Sequence, residues 1–113
     1  MSSSRINRFN KERDALNEVV MKYAGKTTKK FYNLDMHAYE DGALPGKTKE
    51  MLGLVASFVL RCDDCILYHL GRCRELGVSD EEVAEALEVG LLVGGSITIP
   101  HLRRALMAWD EMA

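Results

Sequence analysis

The chain is sparing with the residues that usually announce a specialised protein. Its 113 residues include two prolines, one tryptophan and three cysteines. Its most apolar stretches, Met51–Leu60 and Val89–Leu92, fall far short of the roughly 20 residues needed to cross a bilayer. There is no excess of positive charge. The formal net charge is −2, with acids and bases interspersed, which is unlike the basic footprint of a nucleic-acid binder. The three lysines of Lys26–Lys30 read as a solvated helix end. The N-terminus, Met1-Ser-Ser-Ser-Arg-Ile-Asn, has no apolar run, so a secretory leader is not expected and the cytosol is the expected compartment. In that compartment three cysteines do not make a disulfide framework, and a C-x-x-C pair points to redox chemistry or metal binding.

Internal repeats and low-complexity linkers are also missing, and no β-alternation persists. What is there reads as an all-α fold of about six helices in a single domain spanning 1–113, long enough to bury roughly two-thirds of its unfolded surface. The first four residues read as frayed. Helical spacing runs from Arg5 to Ala24 (Ile6, Phe9, Leu16, Val19, Val20, Tyr23), with Gly25 as a stop. A second helix runs from Thr27 to Glu40, ended by Gly42. A third, Lys47 to Leu60, starts charged and turns apolar, as a central helix does. The fourth, Cys62 to Glu75, stops at Gly77. Ser79-Asp80-Glu81-Glu82 has the form of a capping box for the fifth, which runs to Val93. Gly94-Gly95-Ser96 breaks the pattern, resembling a phosphate nest only weakly and a tight interhelical turn better. Pro100 suits the first turn of a last helix ending near Met112.

The chemistry concentrates on the fourth helix. Cys62 and Cys65 are three residues apart, so their sulfurs can close a disulfide with little backbone movement. His69 lies one turn beyond Cys65 on the same face, where it can exchange a proton with sulfur. A thiol near a helix N-terminus has its thiolate favoured by unpaired N–H groups. Cys62, Cys65, His69 and Cys73 fall within an arc of roughly 80°. The plainer alternative is that these cysteines are small buried hydrophobes, the better reading for Cys73. Cys73 is on the order of 12 Å along the axis from Cys65, too far for an intrahelical disulfide. Zinc is the other alternative. The four groups spread along roughly 16 Å of one helix, and a tetrahedral site needs ligands at about 2.0–2.3 Å, so no metal and no cofactor is expected.

Glu50 is the remaining candidate. If the third and fourth helices form an antiparallel hairpin turning near Arg61, Glu50 stands level with His69 to Arg72. There it can accept the second ring N–H of His69 and raise the basicity of the imidazole. Alternatively, Glu50 is a carboxylate of the first helical turn, favoured by the helix dipole. His37 and His101 read as ordinary surface or interface histidines, and Trp109 as an anchor against the core or a neighbouring subunit. Tyr68 and Phe58 either line a pocket at the thiols or fill the core.

Taken together, Leu44-Pro45-x-Lys47-x-Lys49-Glu50, an apolar helix, then Cys62-x-x-Cys65-x-x-x-His69 resembles the carboxymuconolactone decarboxylase superfamily. More narrowly, the chain is similar to its alkylhydroperoxidase D-like redox branch, with matches at Glu50, Cys62, Cys65 and His69 over about Ala43 to Val93. The resemblance implies a compact all-α domain that assembles into dimers, trimers or hexamers, and a thiol peroxidase or disulfide reductase. The decarboxylase branch lacks the C-x-x-C pair, which disfavours decarboxylation. The best-studied redox members carry histidine just before the second cysteine. Here Asp64 stands there, and an anion beside the thiols opposes thiolate formation.

The expected mechanism has Glu50 polarising His69, which takes the proton of Cys65. The Cys65 thiolate attacks a hydroperoxide and becomes a sulfenic acid, which Cys62 resolves to a disulfide. A dithiol donor, a lipoyl group or a thioredoxin-like protein, restores the thiols. Dipole arguments alone favour Cys62 as nucleophile, whereas the histidine position and the resemblance favour Cys65. The competing expectation is a non-catalytic redox sensor or an oligomeric binding subunit, motivated by Asp63 and Asp64. No nucleic-acid or membrane partner is expected, and a homo-oligomer (trimer or hexamer) is.

Overall fold

In the computed structural model, which describes residues 4–113, six α-helices follow one another and no strand occurs among the described residues. They are α1 (Arg5–Tyr23), α2 (Lys26–Ala38), α3 (Gly46–Val59), α4 (Asp63–Glu75), α5 (Asp80–Gly94) and α6 (Ile99–Asp110). A short 3-10 turn, Ser96–Thr98, joins the last two. The all-α reading holds, with boundaries shifted by a residue or two. Ser4 is not frayed: its hydroxyl accepts the N–H of Asn7 and caps α1. The rest of the segment read as frayed, Met1 to Ser3, lies outside the described residues. Gly25 caps the start of α2 rather than the end of α1, because α1 has already stopped at Tyr23.

The core is built on the α3–α4 hairpin. Leu54 and Phe58 of α3 pack with Ile66, Leu70 and Cys73 of α4, covered by Val83 and Leu87 of α5 and Ala105, Ala108 and Trp109 of α6. Phe58 is therefore core and not pocket wall. Gly90 of α5 makes this closeness possible, since a Cβ there would stand 2.7 Å from the Phe58 ring. Ile6 is the single buried side chain of α1. It seats on Gly71 of α4, where a Cβ would meet it at 3.1 Å.

Two identical turn devices fix both ends of α4. After α3, Cys62 N–H donates to the Ser57 carbonyl and Arg61 N–H to that of Phe58; after α4, Val78 and Gly77 repeat the pattern to Cys73 and Arg74. This is the Schellman arrangement, which needs a left-handed residue just past the helix. Gly77 supplies it at φ 78°, but before α4 the residue is Arg61 at φ 60°. The hairpin turn is so short that Cys62 both completes the C-terminal cap of α3 and is the N-cap of α4. Asp63 and Asp64 in the first turn of α4 and Arg72 and Arg74 in its last suit the helix dipole. At α5 the capping box is complete in both directions between Ser79 and Glu82. Those bonds, with Lys47 beside it, hold the Glu82 carboxyl below the usual carboxylate range.

Trp109 anchors α6 as expected. Its indole N–H donates to Asp80 at 2.8 Å, the Arg74 guanidinium lies 3.8 Å over its ring, and Arg74 also donates to its carbonyl. The α1 and α2 helices are different. Phe31, Leu34 and Met36 of α2 and Leu16, Val19 and Tyr23 of α1 are exposed, and α2 buries no side chain.

Candidate active site

The hairpin register places Glu50 of α3 against α4. The Glu50 carboxylate is 1% exposed and its Oε1 lies 2.8 Å from Nδ1 of His69, itself 7% exposed. Its Oε2 lies 3.5 Å from Nε of Arg72, one turn past His69. A charged carboxylate is buried at this depth only when it is paired and hydrogen-bonded, and these two partners meet that need. Glu50 is the fifth residue of α3, beyond its first turn, so the dipole alternative does not describe it. An ionised carboxylate can only accept, which puts the hydrogen on Nδ1 and leaves Nε2 as the basic nitrogen of His69.

A glycine makes room for the imidazole. At Gly53, one turn beyond Glu50, a Cβ would stand 2.7 Å from Cε1 and 2.9 Å from Nε2 of His69. The ring is flanked by Tyr39 and Tyr68, whose ring centres lie 5.3 and 5.1 Å from its own. Burial, with the Glu50 charge adding to it, raises the hydroxyl pKa of both tyrosines.

Cys62 and Cys65 are joined in a disulfide, with Cα atoms 5.3 Å apart. Cys62 is half-buried, and its sulfur accepts the N–H of Cys65 at 3.3 Å in its capping position. Cys65 is exposed. With His69 and Tyr68 it lines a pocket of ≈ 440 Å³, whose lining also includes Phe9, Arg13 and Leu16 of α1. Cys62 is not in the lining. Cys73 is fully buried and does not line the pocket, its thiol pushed up to about 12 by burial and then by the Glu50 charge. Among the described residues no three His, Cys, Asp or Glu side chains converge to hold a metal ion.

The two aspartates between the cysteines part company. Asp64 lines the pocket. Asp63 turns the other way and is held by α6: Oδ1 lies 2.7 Å from Nδ1 of His101, and Oδ2 accepts from Arg104 at 3.0 Å. His101, read from sequence as an ordinary surface or interface histidine, is brought by α6 across a gap of 38 residues to the first turn of the thiol helix. His37 is exposed and binds only its own helix, at the Asn33 carbonyl. Gly53, Arg72, Tyr39 and the Asp63 clamp escaped the sequence reading. Gly53 and Arg72 carry a local signal, each three residues beyond a motif residue on its own helix. The clamp carries none.

The sequence profile of the carboxymuconolactone decarboxylase family matches residues 25–108. Among solved structures, a Thermotoga maritima protein is 56% identical, with a TM-score of 0.91 over 93% of this chain and 92% of its own. A second crystal structure from that source (TM-score 0.89, 56% identity, covering 93% and 89%) is described as a member of the same family suggested to take part in an antioxidative response. A carboxymuconolactone decarboxylase family protein of Legionella pneumophila is 27% identical, with a TM-score of 0.87 over 96% of this chain and 97% of its own. An uncharacterized protein of Cupriavidus necator is 29% identical over 75 residues, 66% of each chain.

Proposed function

Because the chain belongs to the carboxymuconolactone decarboxylase family, we propose from its site that it is a thiol peroxidase of the alkylhydroperoxidase D-like kind. The observation that carries the reading is the buried Glu50–His69 pair beside an exposed Cys65 that is already bridged to Cys62. In the reduced protein, His69 Nε2 takes the Cys65 proton while Glu50 steadies the imidazolium on the other side. The thiolate attacks the outer oxygen of a hydroperoxide. The O–O bond breaks, Cys65 is oxidised to a sulfenic acid, and the alkoxide leaves as the alcohol with the proton from His69. The Cys62 thiol then attacks the Cys65 sulfur, and water leaves with the S–S bond formed. An external dithiol reduces that disulfide by two exchange steps and is itself oxidised. Per cycle, one hydroperoxide and one dithiol become one alcohol, one water and one disulfide.

Cys65 is the better nucleophile on this geometry, since it faces the pocket with His69 while Cys62 sits behind it as helix cap. A lipoyl group or a thioredoxin-like protein suits the donor's role, and the reducing cytosol suits the cycle. The uncovered apolar side chains of α1 and α2 favour a homo-oligomer, trimer or hexamer, in which copies cover one another. Asp64 beside Cys65 favours a second reading, a redox sensor with a slow thiolate.

The test is steady-state consumption of cumene hydroperoxide with dithiothreitol by the parent, Cys62→Ser and Cys65→Ser proteins. Many turnovers by the parent, lost in both variants, are expected. Full turnover by Cys65→Ser would contradict the assignment. One equivalent consumed and no more would favour the sensor.

A further inference from the structure

The Cys65 sulfur must become an anion among anions. The lining of its pocket carries Glu12 of α1, Asp35 of α2 and Asp64 of α4, and each opposes a thiolate. Glu50 of α3 adds little to that, since His69 and Arg72 meet its charge. His69 becomes a cation only by taking the proton of that same thiol. The first turn of α4 favours the thiolate, yet the N–H of Cys65 itself is given to the Cys62 sulfur.

Among the described lining residues, Arg13 of α1 is the one permanent cation. Its guanidinium lies 4.3 Å from the centre of the Tyr68 ring. Tyr68 stands one helical turn beyond both Asp64 and Cys65, on the face they share. Among the described residues Arg13 forms no ion pair, so the aromatic ring holds it and no carboxylate consumes its charge. It is half-buried, whereas Glu12, Asp35 and Asp64 are exposed, so salt screens its charge less than theirs.

We propose that Arg13, seated on Tyr68, supplies the positive charge that offsets Asp64 and holds the reduced Cys65 as a reactive thiolate. The inference rests on the reading of Cys65 as nucleophile and adds a residue from α1 to the thiol helix. It gives the first helix a part in the chemistry, because the charge reaches the sulfur from a different element than the one that carries Asp64. The role is electrostatic, so it follows the charge at position 13 and not the shape of the side chain.

The experiment follows alkylation of Cys65 by uncharged iodoacetamide between pH 5 and pH 10, with the adduct located by peptide mass spectrometry. It uses Cys62→Ser protein, in which serine keeps the N-cap and no disulfide with Cys65 can form. Arg13→Met, Arg13→Lys and Asp64→Asn are added in turn, at 20 mM and 500 mM salt. Arg13→Met should raise the pH of half-maximal rate by about one pH unit at low salt and by less at high salt. Below that midpoint, the rate should fall by about tenfold. Arg13→Lys should restore most of the loss. Asp64→Asn should move the midpoint down, and Asp64→Asn with Arg13→Met should return it close to the parent's. A midpoint unmoved by Arg13→Met, or moved as far by Arg13→Lys, would overturn the proposal. Methionine and lysine both keep helix propensity and an aliphatic stem, and Arg13→Gln repeats the charge removal should the methionine variant not fold. Because iodoacetamide is not a peroxide, the two readings fail separately. A midpoint that shifts as expected, in a protein that turns over no hydroperoxide, would support the role of Arg13 and overturn the peroxidase.

Discussion

The α3–α4 hairpin and the α1–α2 pair are both amphipathic, yet they use their apolar faces in opposite ways. The α3–α4 hairpin buries its face within the chain, closely enough that Gly53, Gly71 and Gly90 leave no room for a methyl group without movement. The α1–α2 pair leaves Leu16, Val19, Phe31, Leu34 and Met36 in the open, with Leu34 68% exposed. Periodicity alone treats the two alike, because it reports that a face needs covering and not what covers it. The first region is built for a site that cannot shift. The second leaves its apolar side chains uncovered within the chain, and α1 also lines the pocket over the thiols.

The sharpest way to break the rigid half is Gly53→Ala. The added methyl overlaps the His69 ring and must push it off Glu50. A displacement near 1 Å can cost about a hundredfold in rate, so kcat/KM should fall by about that much. Stability should change by less than about 2 kcal/mol, because the helix propensity gained from alanine offsets much of the strain. A stopped-flow peroxide assay with a thermal melt checks both. In the open half, Phe31→Glu with Leu34→Glu should dissociate the proposed homo-oligomer while leaving the helical content unchanged. Sedimentation velocity and circular dichroism separate those effects. A variant that stays assembled would show that α2 is not the covered face.

A smaller effect is expected at the clamp between α4 and α6. Arg104→Met leaves Asp63, next to Cys62, with less positive charge to balance it. The unbalanced anion disfavours the thiolate and so the reduced form. The Cys62–Cys65 potential should therefore become more negative by about 15–30 mV, about 30 mV corresponding to tenfold in the equilibrium. A redox titration against glutathione measures it. The smallest effect concerns Cys73. An unfolded thiol ionises near 9.0 and the buried one near about 12, so the native state holds a proton that the unfolded state has lost. Its stabilising contribution is whole below pH 9 and is lost as pH rises toward 12, by at most about 1.4 kcal/mol per pH unit. Tyr39 and Tyr68, also raised, act in the same direction above pH 10. Urea melts between pH 8 and 10.5 should show a shallower decline in Cys73→Ala than in the parent.

These contrasts also explain what was legible in the sequence. Helix order, the capping box at Ser79 and the Gly77 stop are written locally, within four or five residues, and the structure follows them. The meeting of Glu50 with His69 was reachable by counting from a turn, because two antiparallel helices joined by so short a link have little choice of register. The residue that sets that turn, Arg61, was not legible as a left-handed position, since arginine rarely adopts one. The Asp63–His101–Arg104 contact depends on how α6 crosses α4, which no local pattern encodes. The exposed side chains of Leu16 and Leu34 look like core in sequence because an apolar periodicity does not say whether its face is covered.

The most direct test of the central claim is to locate the first oxidation. Cys62→Ser protein is given one equivalent of cumene hydroperoxide in the presence of dimedone, and the adduct is mapped by peptide mass spectrometry. The account predicts a single sulfenic acid adduct at Cys65, formed about a hundredfold more slowly when Glu50 is changed to glutamine. An adduct at Cys73, or none at Cys65 while peroxide is still consumed, would contradict it.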